Sequence, residues 1–167
     1  MKRKHNNIFW HQGVKIFEDE FLHKKKGLKK IAHLENDVTK SLINVFQLTD
    51  KKILQNFLSI IGVNESADTF QFDYQVFDTN LYRTLPKRIM LSIISTSTPT
   101  ISNPNYDKIF SIPDAAIYND YCVILVESKT QSPLIIEQLS SHIKNYLGTA
   151  TSQKTITWED ISDLFKK

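Results

Sequence analysis

Residues 112–129 of this 167-residue chain read IPDAAIYNDYCVILVESK, which is the pattern of a β-hairpin. A short apolar run leads to the polar pair Asn119-Asp120, and a longer apolar run follows and ends in charged residues. Asn and Asp tolerate the positive φ angles that two-residue hairpin turns require. Residues 123–126 are apolar on both faces, as expected of a central strand that other elements cover on both sides. The hairpin therefore predicts a sheet that lies between helices.

The register of this hairpin decides which charged side chains meet. If the Asn-Asp pair forms the turn, counting back along both strands places Asp114 opposite Leu125. Because side chains alternate between faces, Asp114, Glu127 and Lys129 then point the same way, with Asp114 diagonal to Glu127. A shift of one residue would send Asp114 to the other face. Buried charges need a partner or a metal, so the pattern predicts either metal-assisted phosphodiester chemistry or simple pairing of Glu127 with Lys129.

The rest of the chain predicts helices on both sides of these strands. The periodicity of apolar residues predicts a helical segment over 36–62 with a break near 49–50, strands over 69–77 and 88–94, a loop over 95–107, a helix over 132–147, a strand over 154–158 and a helix over 159–165. Thr49 or Asp50 would cap the second helix, and Gly62 would end it. Ser132 and Pro133 would open the helix after the hairpin. This order indicates an α/β (α+β) fold with a mixed sheet and helices on both faces.

Composition is that of an ordinary globular domain. The chain is 41% hydrophobic and 11% aromatic, and its length suits one domain. Cys122 is the only cysteine, which excludes an intrachain disulfide and a cysteine zinc site. No apolar run approaches the ~20 residues that cross a membrane, and the N-terminus lacks the apolar core of a signal peptide. We therefore predict a cytoplasmic protein with no membrane partner.

Positive charge is concentrated at the N-terminus. The net charge is +3, yet residues 1–34 alone hold nine Lys or Arg against three acids. Such clusters contact phosphates by electrostatics, or they form a solvated arm that aids solubility. We interpret residues 1–33 as a basic N-terminal leader and residues 34–167 as the functional domain.

The hairpin resembles the core of the PD-(D/E)XK nuclease superfamily, the fold of many restriction endonucleases. Pro113-Asp114 matches the first half of that motif, and Glu127-Ser128-Lys129 matches the second. The resemblance implies an αβββαβ core in which Asp114 and Glu127 hold Mg²⁺, with Mn²⁺ as a substitute and the Ser128 carbonyl as a further ligand. It implies that Lys129 orients the attacking water or stabilises the transition state. The implied activity is Mg²⁺-dependent endonucleolytic cleavage of DNA.

Two flanking segments extend the resemblance. Gln138 and His142 lie four residues apart and so share a helix face, where many nucleases of the superfamily carry Gln-x-x-x-Tyr. Residues 34–42 (LENDVTKSL) resemble the first core helix of nuclease effector domains in bacterial anti-phage defence proteins. The resemblance implies that Glu35, with Asp37 in reserve, helps position metal or water. The alternatives are that Gln138 and His142 are surface polar residues and that the acids favour the helix N-terminus electrostatically.

Other functions stay open or are excluded. One alternative is a catalytically inactive domain of the same fold that binds nucleic acid or protein, and another is a nuclease that cleaves RNA. Serine hydrolase and nucleotide hydrolase chemistry are excluded because the sequence has no Gly-x-Ser-x-Gly elbow and no phosphate loop. The core leaves no room for a recognition module, so we expect a homo-oligomer, or a fused or recruited sensor domain, to supply specificity. The chain could then be an excised domain of a longer protein.

Overall fold

The computed structural model describes residues 26–76, 80–103, 112–149 and 151–166, with side chains from Glu35 onward. Residues 1–25 of the predicted leader lie outside these ranges, and residues 26–33 already belong to the first helix. The α-helices in the described part are α1 (Lys26–Leu48), α2 (Lys51–Ile60), α3 (Ile136–His142) and α4 (Trp158–Asp163). A π-helical segment, Ile143–Leu147, continues α3, and a short 3-10 helix spans Ala67–Thr69. None of the described helices is long and apolar enough to cross a membrane.

The main sheet of the described part has five strands in the order β1-β4-β5-β2-β7. The strands are β1 (Gln71–Tyr74), β2 (Lys87–Ile94), β4 (Ala115–Tyr118), β5 (Cys122–Lys129) and β7 (Ser152–Thr157). β4 is antiparallel to both β1 and β5, whereas β5, β2 and β7 run parallel to one another. Two short strands, β3 (Thr100–Ile101) and β6 (Leu134–Ile135), pair separately. The mixed sheet is confirmed.

Helices cover both faces of the sheet, as predicted. Cys122, Ile124 and Val126 of β5 belong to the core that also holds buried residues of α1, α2 and α4. Val123 and Leu125 belong to the second core, with the α3 side of the molecule. Each fully buried side chain of this kind contributes about 1.5–3 kcal/mol, so β5 is the most strongly fixed strand of the fold. Because side chains alternate along a strand, Glu127 follows Leu125 onto the face toward α3.

The main elements follow one another along the chain as α1, α2, β1, β2, β4, β5, α3, β7 and α4, and β1 forms one edge of the sheet. The αβββαβ core that the resemblance implies stays a prediction, since the order of elements does not identify a family. β7 is a six-residue strand that runs parallel to β2 at the other edge of the sheet, and α4 begins directly after it. The carboxyl ends of the parallel strands β5, β2 and β7 meet at one edge of the sheet, and the predicted charged residues of the hairpin lie there.

The local signals at the two ends of α2 act as the sequence predicts. Asp50 caps α2, with its side chain accepting the Lys52 N–H at 2.9 Å. Gly62 follows α2 with φ +76°, and Gly148 ends the turn after α3 with φ +80°. The Gly148 N–H donates to the Ile143 carbonyl at 2.7 Å. Positive φ favours glycine at both positions, so the helix ends are fixed by local chemistry.

The predicted start of the helix after the hairpin is wrong. The helix begins at Ile136 rather than at Ser132 and Pro133. The Leu134 N–H donates to the Pro99 carbonyl at 2.9 Å, and β6 pairs with β3. The Ser132 hydroxyl donates to the Glu35 carboxylate instead of capping a helix. Contacts with residues that are distant in the sequence thus replaced the local capping that the sequence predicts.

The hairpin turn lies one residue later than predicted. The Asn119 N–H donates to the Cys122 carbonyl at 2.9 Å, so the two loop residues are Asp120 and Tyr121. The Asn119 side-chain oxygen accepts the N–H groups of Tyr121 at 2.9 Å and Cys122 at 2.7 Å. An Asn whose side chain accepts the N–H groups of the second and third residues after it stabilises a turn that follows it in the chain. Asn119 is therefore the residue before the turn and not one of its two central residues.

This later turn changes the cross-strand partners. Ala116, rather than Asp114, lies opposite Leu125. The Asp114 N–H donates to the Val126 carbonyl at 3.1 Å, which keeps Asp114 attached to the end of β5. The predicted pairing of Asp114 with Leu125 is wrong. Asp114 lies beside Ser128, whose N–H donates to Oδ2 at 2.8 Å, and the charge of Glu127 still acts on it.

Candidate active site

Glu127 is the buried centre of the site, at the carboxyl end of β5. Its exposed fraction is only 1%, and three side chains contact its carboxylate. Oε1 accepts Lys129 Nζ at 2.6 Å and Gln138 Nε2 at 2.5 Å, and His142 Nε2 lies 3.1 Å from Oε2. Burial raises the pKa of Glu127, but the hydrogen bond from His142 and the charge of Lys129 outweigh it and hold the pKa below its usual value. Glu127 is therefore ionised.

Lys129 carries the positive charge of the site. Besides its 2.6 Å contact with Glu127, its Nζ lies 4.0 Å from Oε2 of Glu35. Burial lowers the pKa of Lys129, but the charges of Glu127, Asp114 and Glu35 outweigh it and keep the pKa above its ordinary value. Lys129 is thus an ammonium group, suited to stabilise negative charge and unsuited to accept a proton.

Asp114 behaves oppositely to Glu127. Its Oδ2 accepts the Ser128 N–H at 2.8 Å and the Ser128 hydroxyl at 3.3 Å. Burial and the charge of Glu127 raise the pKa of Asp114 to about 8, against the lowering effects of Ser128 and Lys129. Two neighbouring carboxyl groups with pKa values pushed apart are a signature of functional sites. Without further positive charge, Asp114 holds a proton near neutral pH.

A cleft between α1 and the end of β1 opens onto Asp114. It has a volume of about 140 Å³ and is lined by Asn36, Asp37, Lys40, Tyr74, Gln75 and Asp114. Gln75 has φ +49°, and its N–H donates to the Asp114 carbonyl at 3.0 Å. A positive φ in a residue other than glycine costs on the order of 1 kcal/mol and clusters at functional sites. The predicted strand over 69–77 ends at Tyr74 because the backbone turns here.

Glu35 reaches the site from α1, but its carboxylate binds a loop. Oε1 accepts the backbone N–H groups of Thr130, Gln131 and Ser132 at 2.9, 3.2 and 3.0 Å. The Ser132 hydroxyl contacts Oε1 at 2.8 Å and Oε2 at 2.7 Å. Burial raises the pKa of Glu35, but these donors together outweigh it and hold the pKa below its usual value. Glu35 is an ionised anchor for residues 130–132.

No family model, curated protein or solved structure matches this chain. The resemblance to the PD-(D/E)XK superfamily consequently rests on the sequence motifs alone. Asp114, Glu127 and Lys129 interact electrostatically at one end of the sheet. Gln138 donates to Glu127 from α3, and Glu35 approaches Lys129 from α1. All five predicted catalytic residues therefore lie within one connected network.

The sequence did not predict two members of this network in their present roles. Thr39 Oγ1 makes a short hydrogen bond with Ser128 Oγ, although no local pattern links the two residues. Its spacing of four from Glu35 places both on one face of α1, which is the only signal that could have indicated it. His142 shares a helix face with Gln138, as predicted, but it is buried and contacts the carboxylate of Glu127, so it is not a surface polar residue.

The donor set fits a hard divalent cation. Among the described residues, no group of three or more His, Cys, Asp or Glu could hold a metal, so Asp114 and Glu127 would need the Ser128 carbonyl and water as further ligands. A carboxylate offers about four acceptor positions, and the three donors on Glu127 leave one on Oε2. The pKa of Asp114 is raised because Ser128 and the positive charge of Lys129 do not offset burial and the charge of Glu127. Both observations favour cation binding.

Proposed function

We propose that this chain is an Mg²⁺-dependent endonuclease domain that hydrolyses phosphodiester bonds in DNA, with Mn²⁺ as a substitute ion. The observation that carries the proposal is the pair Asp114 and Glu127, whose pKa values move in opposite directions beside the ammonium of Lys129. A protein that only binds nucleic acid has no need for two interacting carboxyl groups and an ammonium at the end of one strand. A role as an anti-phage defence effector rests on sequence resemblance alone.

Each member of the network has a part in this chemistry. Asp114, Glu127 and the Ser128 carbonyl would hold the ion. When bound, it lowers the pKa of a coordinated water and neutralises charge on the phosphate. Lys129 stays protonated and so donates to the oxygens on which negative charge develops. Gln138 and His142 fix both oxygens of Glu127 from α3.

The cleft beside Asp114 is the approach we propose for the nucleic-acid backbone. It brings Lys40 and the amide side chains of Asn36 and Gln75 next to Asp114. Amide and ammonium groups are common phosphate contacts in DNA-binding proteins. Asp37 also lines the cleft, and its negative charge would oppose a phosphate placed directly beside it. The phosphate is therefore expected nearer Lys40 and Gln75.

Cleavage of a substrate panel tests the proposed function. Supercoiled plasmid, single-stranded DNA and RNA are each incubated with the protein in Mg²⁺, Mn²⁺ or EDTA. We expect cleavage of DNA in either ion and none in EDTA. Cleavage of RNA alone would favour the RNA nuclease, and binding without cleavage in any ion would favour the inactive domain. Sedimentation of the same sample reports whether activity accompanies a homo-oligomer.

Lys40→Gln tests the cleft as a contact to the DNA backbone. We expect the Kd for duplex DNA, measured in Ca²⁺ to prevent cleavage, to rise severalfold. The slope of log Kd against log salt concentration should decrease in magnitude by about one, which is the contribution of one phosphate contact. Lys52→Gln, on the exposed side of α2, is the matched control and should leave the Kd unchanged. An unchanged Kd for Lys40→Gln would place the DNA elsewhere.

A further inference from the structure

Glu35 forms the densest set of contacts in the site. Its carboxylate accepts hydrogen bonds from three consecutive backbone N–H groups and from the hydroxyl of Ser132. These donors belong to residues 130–132, the loop that directly follows Lys129. Successive N–H groups that converge on one oxygen form an anion-binding concavity. Here a carboxylate of the same chain fills it, and the loop is thereby tied to α1.

The same carboxylate also faces the catalytic ammonium. Oε2 of Glu35 lies 4.0 Å from Nζ of Lys129, opposite the 2.6 Å contact with Glu127. Lys129 is thus held between two buried carboxylates, one on its own strand and one on α1. A long, flexible side chain needs such restraint to keep its charge at a defined point.

Thr39 makes a second connection one helical turn along α1. Its Oγ1 lies 3.1 Å from the Glu35 carbonyl and hydrogen-bonds Ser128 Oγ, and donation from Thr39 to Ser128 leaves the Ser128 hydroxyl proton for Asp114. Ser128 in turn donates to Oδ2 of Asp114 through both its N–H and its hydroxyl. Thr39 is 1% exposed, so water does not compete for this hydroxyl pair. The position of Asp114 therefore depends on α1 through Ser128.

We propose that Glu35 and Thr39 are positioning residues of this centre: Glu35 fixes Lys129 both through the 130–132 loop and through its negative charge 4.0 Å from Nζ, and Thr39 fixes Asp114 through Ser128. The inference rests on the proposed nuclease function and assigns Glu35 a role other than the metal or water positioning that the sequence predicts. Three loop N–H groups converge on Oε1, and the single hydroxyl proton of Ser132 is shared between Oε1 and Oε2. The loop thus holds Oε1, and Oε2 faces the ammonium of Lys129 at 4.0 Å.

A set of variants, each studied with three measurements, distinguishes the proposed roles of Glu35 and Thr39. Glu35→Ala removes the anchor and the charge, whereas Glu35→Gln keeps an acceptor for the loop and removes only the charge beside Lys129. Thr39→Val removes the hydroxyl, and Thr39→Ser restores it. Glu159→Ala, an exposed glutamate on α4, is the matched control. The readouts are hydrogen exchange of the Thr130, Gln131 and Ser132 amides, Mn²⁺ affinity by calorimetry, and kcat on DNA.

For Glu35→Ala we expect the three amides to exchange at least about tenfold faster and kcat to fall about 10²-fold, as for a misplaced catalytic group. Mn²⁺ affinity should stay within about threefold of wild type, since no ligand is lost. Glu35→Gln should keep most amide protection yet lower kcat. Thr39→Val should lower kcat about tenfold, and Thr39→Ser should recover it.

Specific results would overturn the inference. Loss of Mn²⁺ affinity in Glu35→Ala would show that Glu35 is a metal ligand. Unchanged exchange of the three amides in that variant would show that Glu35 does not anchor the loop. Wild-type kcat in Glu35→Gln would show that its charge does not act through Lys129. If Glu35→Ala does not fold, Glu35→Gln still tests that step. If wild type neither binds Mn²⁺ nor cleaves, the nuclease proposal fails, while the exchange data still decide whether Glu35 anchors the loop.

Discussion

Lys129→Met is expected to reduce DNA cleavage by about 10²–10³-fold, the usual loss when a donor to the developing charge is removed. Methionine keeps the length of the side chain but has no charge. Lys129 is held by Glu127 at 2.6 Å and stays protonated, so its contribution is electrostatic. Since no proton transfer depends on Lys129, raising the pH should not rescue the variant.

The same change is expected to destabilise the fold, because Glu127 would remain buried without its nearest cation. Removal of one partner from a buried ion pair typically costs about 3 kcal/mol or more, although Gln138 and His142 still contact Glu127. Chemical unfolding measures this loss, and circular dichroism shows whether the cleavage assay samples folded protein. Lys154→Met, on the exposed edge strand β7, is the control for charge alone. Near wild-type cleavage by folded Lys129→Met would contradict the role of Lys129.

Asp114→Asn is expected to make the metal-free protein more stable at pH 8 while it abolishes metal-dependent cleavage. The folded pKa of Asp114 is about 8, against 3.8 for the ordinary group. Between these values the folded protein keeps a proton that the unfolded chain has released. The free energy of unfolding therefore falls as pH rises from about 4 to about 8. Asparagine does not titrate and escapes this loss.

The difference between the two proteins should depend on pH in a defined direction. Near pH 4 their melting temperatures should agree, and at pH 8 in EDTA the variant should melt roughly 5 °C higher. Mg²⁺ should raise the melting temperature of wild type at pH 8 and have little effect on the variant, because binding to the native state stabilises it. Asp120→Asn, at the exposed hairpin turn, should behave as wild type. A variant that is less stable than wild type at pH 8 would contradict the raised pKa.

Features that depend on neighbouring residues could be predicted from the sequence. The apolar run 123–126 makes a central strand because it is buried on both faces. Asp50, Gly62 and Gly148 act at helix ends through contacts within a few residues. The failed predictions concern the hairpin turn and the start of α3. In both cases a side chain, that of Asn119 or Ser132, had two possible partners, and the three-dimensional contact decided between them.

The residues that hold the charged side chains of the site in place could be predicted only in part, because their contacts join distant parts of the chain. The hydrogen bonds of Glu35 link residues that are 95 to 97 positions apart, and those between Thr39 and Ser128 span 89. No local periodicity carries that information. The sequence placed Glu35 at the site by resemblance, but its contacts with the 130–132 loop changed the role assigned to it. Asp114, Glu127 and Lys129, which lie within one hairpin, were predicted as a set.

The most direct test of the central claim is Mg²⁺-dependent cleavage of supercoiled plasmid by wild type, Asp114→Asn and Asp120→Asn, measured side by side on folded protein. We predict that wild type and Asp120→Asn convert the plasmid in Mg²⁺ and not in EDTA, and that Asp114→Asn leaves it intact. Equal cleavage by Asp114→Asn and wild type, or cleavage that persists in EDTA, would contradict a metal-dependent nuclease centre at Asp114 and Glu127.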